Sequence, residues 1–409
     1  MRFAPFTRAR PMRSSRAPSR GVRGHLAAVV ALGLAGACTS RDIVASAGAE
    51  APAYCRGPSP VILLAPPPGP REAVCTGSVA VRAFPRALCM CEDYAASTTL
   101  DTDSFDSAAG PYIPGGSSGD VGIDGQLRAS AVVTAGGDLT VSGAGGAALL
   151  ADVHVARDLV VGGPLGAGVT VTAGGDAHIA GDVDLAGLTV AGTLTVPDGA
   201  SLAGTITAGS TLRAPVQIAP PCNCGAPDLV DVAGLVAAHA TDNQDAAIGL
   251  TPDRLTGFHA PASLDLPCGV YYLGPVSGDA ELTLRITGRV ALLIDGDIAL
   301  TAPLTIELST DDAELDLLVA GIVSIDHALT IGRVDHPART RVYLGGSGQI
   351  QLSGDSRLAA NLYAPHAAVA LSADATVHGS LFVRHLDQSA PLTIHYDVDV
   401  RRADIACPL

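Results

Sequence analysis

The 409-residue chain contains no lysine and no tryptophan, and aromatic residues make up only 3% of it. Without lysine, the glycine-rich strings GPYIPGGSSGD and SGAGGAA lack the Lys-Ser/Thr that closes a phosphate loop, so neither is read as a nucleotide site. Without tryptophan, and with few aromatic platforms for sugar rings, a polysaccharide-cleaving enzyme is disfavoured. Calcium nonapeptides of the GGxGxDxU type are absent as repeats, which leaves at most weak surface calcium at isolated Asp-rich turns. The apolar run Leu26 to Ala37 has 12 residues, well short of the roughly 20 that span a bilayer. The lack of lysine, with abundant Ala, Gly and Pro, points to a GC-rich coding sequence rather than to a mechanism.

What is present at the start has the three parts of an export signal over 1–37. Arg2, Arg8, Arg10, Arg13, Arg16, Arg20 and Arg23 form a basic region with no acidic residue, and Met12 is an alternative start. The apolar run follows, and Ala35, Gly36 and Ala37 supply the small side chains that a cleavage site needs. Cys38 comes next. The ending LAGAC resembles the lipobox of bacterial lipoproteins, with Leu34 one place further back than usual. The resemblance implies a diacylglycerol on Cys38, holding the protein to a membrane through buried methylenes worth about 0.8 kcal/mol each. Thr39 is not the Asp that marks inner-membrane retention, so an outer-membrane or cell-surface location is expected.

The whole chain has 25 Lys+Arg and 40 Asp+Glu, a net charge of −15. Loss of the seven signal arginines leaves 18 against 40, or −22. That balance excludes nucleic acid as a partner and opposes adsorption to anionic lipid. Beyond Cys38 the cysteines number eight: Cys55, Cys75, Cys89, Cys91, Cys222, Cys224, Cys268 and Cys407. An even count in an exported chain reads as disulfides, and eight cysteines allow about 105 pairings. The Cys89/Cys91 and Cys222/Cys224 pairs have one intervening residue, whereas zinc ligands favour two to four, so no metal site is expected.

Five segments follow: the signal 1–37; a lipidated tether and cysteine-rich cap over 38–110; Gly-rich coils over 111–218; a helical or loop insert over 219–262; and a main β body over 263–409. In the second, PSPVILLAPPPGP is too rich in proline for a long helix or a central strand. In the third, the blocks GGDLTVSG, ARDLVVGG, GGDAHIAG and AGTLTVPD place Asp138, Asp158, Asp176 and Thr193 at intervals of 20, 18 and 17 residues. Three short strands and three corners use roughly 18 residues, one coil of a right-handed β-solenoid, and stacked coils bury an apolar face that one coil cannot. Leu139 and Val141 should face one side and Thr140 the other. In the fourth, Leu229, Val232, Val236 and Ala240 share one helix face, with Asp228 as a candidate cap. The fold class expected is all-β, a β-helix with one helical insert. Both β segments in one stack make about 13 coils and a rod of roughly 60 Å, whose open ends the cysteine-rich leader and the helix are candidates to cover.

The C-terminal half carries CGVYYLG, GRVALLIDGDIAL, AELDLLVAG, NLYAPHA and GSLFVR. These resemble a β-helical domain of uncharacterised secreted or lipid-anchored bacterial proteins, myxobacterial ones among them, some described as pilus-assembly-associated. The likeness spans about 180 residues, includes PPCNC and the helix after it, and implies a β-helix and little about activity. The Gly136 to Val196 repeats resemble more faintly the bactofilins, polymer-forming β-helical proteins.

For chemistry, Asp295 and Asp297 are candidates for an acid pair, with Asp311, Asp312, Glu314 and Asp316 nearby in sequence; DGD is equally good turn chemistry. The candidate histidines are His327 after Asp326, His336 after Asp335, His366, His378, His385 and His395, the last two residues from Asp397 on one strand. GGSGQ at Gly345 lacks the nucleophile-elbow pattern G-x-S-x-G. No catalytic residue and no cofactor is therefore assigned. The expectation is a non-enzymatic envelope or surface lipoprotein acting as scaffold, spacer or adhesion surface. Membrane is its partner through the lipid, with envelope proteins, pilus components or glycan as further partners. The alternatives are a carbohydrate-active β-helical enzyme and a self-assembling β-helical polymer or pilus accessory.

Overall fold

A computed structural model describes residues 53–56, 61–64, 74–225, 227–352 and 356–407. The signal-like segment, Cys38 and the tether that follows lie outside the described residues. Among the described residues no helix is long and apolar enough to cross a membrane.

The body is a β-helix of parallel strands. One inward column can be followed through it by register: Tyr271, Leu292, Leu317, Val342, Leu362, Leu381, Leu88, Val121, Leu139, Leu159, Ala177, Leu194 and Thr211. Those thirteen rungs, at about 4.8 Å a step, make a stack about 58 Å long. The pattern is the expected one: Leu139 and Val141 are fully buried in the core, and Asp138, Asp158 and Asp176 stand at matching corners. There each carboxylate accepts the backbone N–H one coil on, Asp138 Oδ1 from Asp158 at 3.1 Å and Asp158 Oδ1 from Asp176 at 2.8 Å. The repeat is therefore a corner device: the aspartate satisfies a donor that the turn leaves unpaired.

The stacking order departs from the chain order. Strand Leu88–Met90 lies between Ala375–Gln388 and Val121–Ile123, and Leu100–Phe105 between Leu392–Asp397 and Val133–Ala135. The cysteine-rich leader, expected to cover an open end, instead builds the coil that joins the two β segments in mid-stack. The C-terminal segment stacks on one side of it and the Gly-rich segment on the other. Segment 214–255 must therefore return along the outside of the rod, from the last Gly-rich coil to the first C-terminal one.

The return path covers an apolar stripe on the outer face, where Leu293, Leu318, Tyr343, Tyr363, Phe382 and Cys89 stack in register. Helix α1 (Thr76–Ala83) ends in Phe84, whose ring lies 5.4 Å from that of Tyr343. Helix α2 (Val232–Ala238) packs on Glu314–Val319. Its cap is Asp231, which accepts from Gly234 N at 2.9 Å, rather than Asp228 as expected; the chain becomes helical only at Val232. Strand structure resumes at Thr256, inside the expected insert.

Four disulfides cross-link the described chain, Cys55–Cys268, Cys75–Cys407, Cys89–Cys222 and Cys91–Cys224, and the last two hold this path. Each C-x-C motif pairs with the other, Cys89 and Cys91 from the end of a strand and Cys222 and Cys224 from a turn in which Asn223 has a φ of +51°. The two motifs thus rivet the return segment to the leader coil.

The ends of the stack differ. Leu202–Arg213 pairs with Val183–Val196, and its other edge has no strand partner among the described residues. At the opposite end Gln244 and helix α3 (Asp245–Ile248) plug Gly269–Leu273: Gln244 N donates to Val270 O at 2.8 Å and Tyr272 N donates to Asp245 Oδ1 at 2.9 Å. Burial pushes the Asp245 carboxyl up to about 6, against the opposing pull of the Tyr272 N–H. The folded form thus holds the proton more tightly than the unfolded one. The associated stability is full below the unfolded value of 3.8 and is lost as pH rises through about 6. Asp245→Asn, which keeps the acceptor, is expected to raise stability by about 1 kcal/mol at neutral pH and to add nothing near pH 4. Urea unfolding at the two pH values measures this; an equal gain at both contradicts it.

Candidate functional site

The outward columns of the sheet that contains Leu392–Asp397 carry a threonine series beside a second column, and two histidines, two aspartates and an arginine cluster in one region of them. By register one column reads Ser263, Thr283, Thr305, Thr330, Arg357, Thr376, Thr393, Asp101, Thr134, His154, Thr172, Thr189 and Thr207. Threonine suits it because its β-branched side chain packs well against identical neighbours on a pleated surface. Arg357 and Asp101 interrupt the series on either side of Thr376 and Thr393. The neighbouring column reads Gly332, Ala359, His378, His395 and Asp103. Charge and imidazole thus replace the structural repeat in four adjoining coils.

In that patch Asp103 is the hub. Its Oδ1 lies 2.7 Å from His395 Nδ1, and its Oδ2 accepts from Tyr112 OH at 2.5 Å. Tyr112, from the loop after Phe105, lies with its ring 4.1 Å from that of His395. The His378 and His395 rings are 4.9 Å apart. Burial pushes Asp103 up, but the bonds from His395 and Tyr112 outweigh it and hold the carboxyl below the usual range. Burial, followed by repulsion from His395, lowers His378, so it is neutral at neutral pH. Asp101 is raised, by burial first and Asp103 second. His378 Nδ1 is buried without a hydrogen-bond partner. His378 also forms one wall of a cavity of about 370 Å³. The small side chain of Ala359 lines the cavity beside His378. A Cβ on Gly332, whose φ is +75°, would run into Ala359 O.

The residues singled out from sequence are otherwise dispersed. Asp295 and Asp297 flank Gly296, whose φ of +127° makes the corner. Asp295 accepts from Tyr272 OH at 2.7 Å and Asp297 from Ile322 N at 2.9 Å, so they form no acid pair. Asp311 pairs with Arg333, which also holds Asp335. Glu314 and Asp316 bind the buried Arg341, at 2.7 and 2.6 Å. Asp312 lines a 260 Å³ cavity beside that network, whose charges nearly cancel. His385 meets Asp387 at 3.0 Å, while His327 and His366 are exposed. His336 precedes the 3-10 turn Pro337–Arg339 without capping it. His395 does not reach Asp397, whose carboxylate accepts from Ser107 N and Ala338 N. All eight cysteines are in disulfides, so neither C-x-C motif is a metal site. Tyr112, Asp101, Asp103 and Arg357 went unread, because their partners are set by register across up to 292 residues.

Residues 226–403 match a family model described as a domain of unknown function, DUF7305. The matched stretch carries Arg357, His378 and His395, while Asp101, Asp103 and Tyr112 lie outside it. No curated protein and no solved structure matches the chain.

Proposed function

We propose that the chain is an exported lipoprotein, anchored through Cys38 at the outer membrane or cell surface, whose β-helix serves as a rigid scaffold or spacer. The observation that carries this reading is the disulfide-riveted return segment lying along a thirteen-rung stack. A rod held by backbone ladders inside and by covalent cross-links outside resists bending and shear. Four disulfides also suit an oxidising compartment outside the cytoplasm. Cys55 is stapled to Cys268 in the plugged first coil. Gln244 and Asp245 cover the Gly269–Leu273 edge of the first coil, which hinders the stacking of a second copy there.

Two measurements test it. Cys38→Ser is expected to abolish metabolic lipid labelling and to move the protein out of the membrane fraction. Deleting residues 138–157, one coil that begins and ends at equivalent corners, is expected to leave a folded rod about 4.8 Å shorter. A deletion strain with unchanged envelope spacing, adhesion and motility sinks the scaffold reading.

A further inference from the structure

We propose that the cavity between Arg357, Asp374 and His378 binds a neutral hexopyranosyl unit of a polysaccharide. The cavity, about 370 Å³, falls in the ~300–1,000 Å³ range of small-ligand sites. Its walls carry one cation, Arg357, and one anion, Asp374, neither of them in an ion pair or hydrogen bond with another described side chain. Thr376 adds a hydroxyl and His378 an imidazole that is neutral at neutral pH. Val334, 55% exposed, and Ala359 supply an aliphatic surface.

This set selects by exclusion. A carboxylate or phosphate finds one guanidinium but also Asp374, in a chain of net charge −15 whose field repels anions. An amine meets Arg357. A pyranose with adjacent hydroxyls both donates and accepts. It can take two N–H bonds from the planar guanidinium, give two O–H bonds to the carboxylate, and lay its C–H face on Val334 and Ala359. The buried Nδ1 of His378 has no partner inside the protein. The Asp103–His395 pair and Tyr112 pack behind His378 and hold its ring in place.

Two features argue that the cavity is not an accident of packing. At this coil the column places Arg357 rather than threonine, and its side chain lines the cavity. In the adjoining column the small Ala359 lines the cavity beside His378, whose buried Nδ1 has no partner.

The test is calorimetric titration of the detergent-solubilised full chain with neutral gluco-, manno- and galacto-configured tetrasaccharides, and separately with tetragalacturonate and inorganic phosphate. Saturable binding of at least one neutral tetrasaccharide is expected. Arg357→Ala and Asp374→Ala should each weaken it by about tenfold or more, as loss of a charge-assisted hydrogen bond does. Thr172→Ala, in the same column several coils away, should leave it unchanged, and unchanged melting curves show that the variants fold. Asp374→Ala separates the readings: a sugar site loses affinity, whereas an anion site gains it. The proposal is overturned if no neutral tetrasaccharide saturates the protein up to about 10 mM, if binding survives both substitutions, or if tetragalacturonate or phosphate binds more tightly and tighter still in Asp374→Ala.

Discussion

Arg341→Met is expected to destabilise the protein by about 3–5 kcal/mol, because it leaves two carboxylates buried without their cation. The Arg341 side chain is 2% exposed, and so is that of Asp316. The guanidinium meets Asp316 through Nε at 2.6 Å and Nη2 at 2.9 Å, Glu314 at 2.7 Å, and the carbonyl of Ala338 at 3.1 Å. Burial pushes the Glu314 carboxyl up, yet the attraction of Arg341, with Arg289 behind it, brings it below the ordinary range. In Arg341→Met the larger attraction is gone, and Glu314 keeps Arg289, at 3.0 Å, against burial. With its main cation gone, burial favours the protonated form of Glu314, and the variant should recover stability as pH falls towards the carboxylate range. Replacing the group together, as Arg341→Met, Asp316→Leu and Glu314→Gln, is expected to restore most of the loss, since no uncompensated charge remains. Denaturant midpoints of the single and triple variants decide the matter. A triple variant no more stable than the single one would show that the network's worth lies in its hydrogen bonds to the 3-10 turn Pro337–Arg339 and not in charge compensation.

The second large effect is non-additive. Cys89–Cys222 and Cys91–Cys224 each span 133 residues. Cross-linking a loop of that length removes denatured-state entropy worth about 3–5 kcal/mol. Once one bridge is present, however, the other closes a ring of only a few residues and removes little more. Breaking either alone should cost about 1 kcal/mol, and breaking both should cost about 3–5 kcal/mol. The double variant should also release the return segment from the rod, exposing the stripe that includes Phe382 and Tyr363 to hydrophobic dyes. Guanidinium unfolding of the two single variants and the double variant reads the coupling. Equal, additive losses would mean that each bridge acts through local native contacts, such as those of Cys222 N and Cys224 N to the Asp124 carboxylate at 2.9 and 3.3 Å.

Much of the architecture was legible because it is local. The alternation at Leu139, Thr140 and Val141, the glycine corners and the aspartate spacing are properties of a single coil, written out again in the next one. The coil count was accessible for the same reason: length divided by period estimates the rungs without any knowledge of their order. The helix of the insert was legible from its apolar face, though its cap moved from Asp228 to Asp231. The leader was misjudged because its proline-rich start drew attention from LCM and LDTDSF, strands too short to stand out from a turn-rich background. The patch around His395 was invisible for a different reason. His395 was weighed against Asp397, two residues away, when its partner is Asp103 on the neighbouring coil.

By itself, then, the sequence determined the repeating unit, the parity of the cysteines and the signal-like start, all of which depend on neighbours within about one coil. The tertiary structure decided the order of the coils, the cysteine pairing and the membership of the cavity. The physical reason is that the solenoid ladder is degenerate. Every coil offers the next much the same backbone edge and the same inward column of Leu, Val and Ala, so local pairing energy does not say which coil follows which. Order comes from contacts that do not repeat: the bond from Asp103 to His395, the disulfides, and Tyr396 OH donating to Phe84 O at 2.7 Å. They join residues from 133 to 332 apart in the chain, and only the folded rod brings them together.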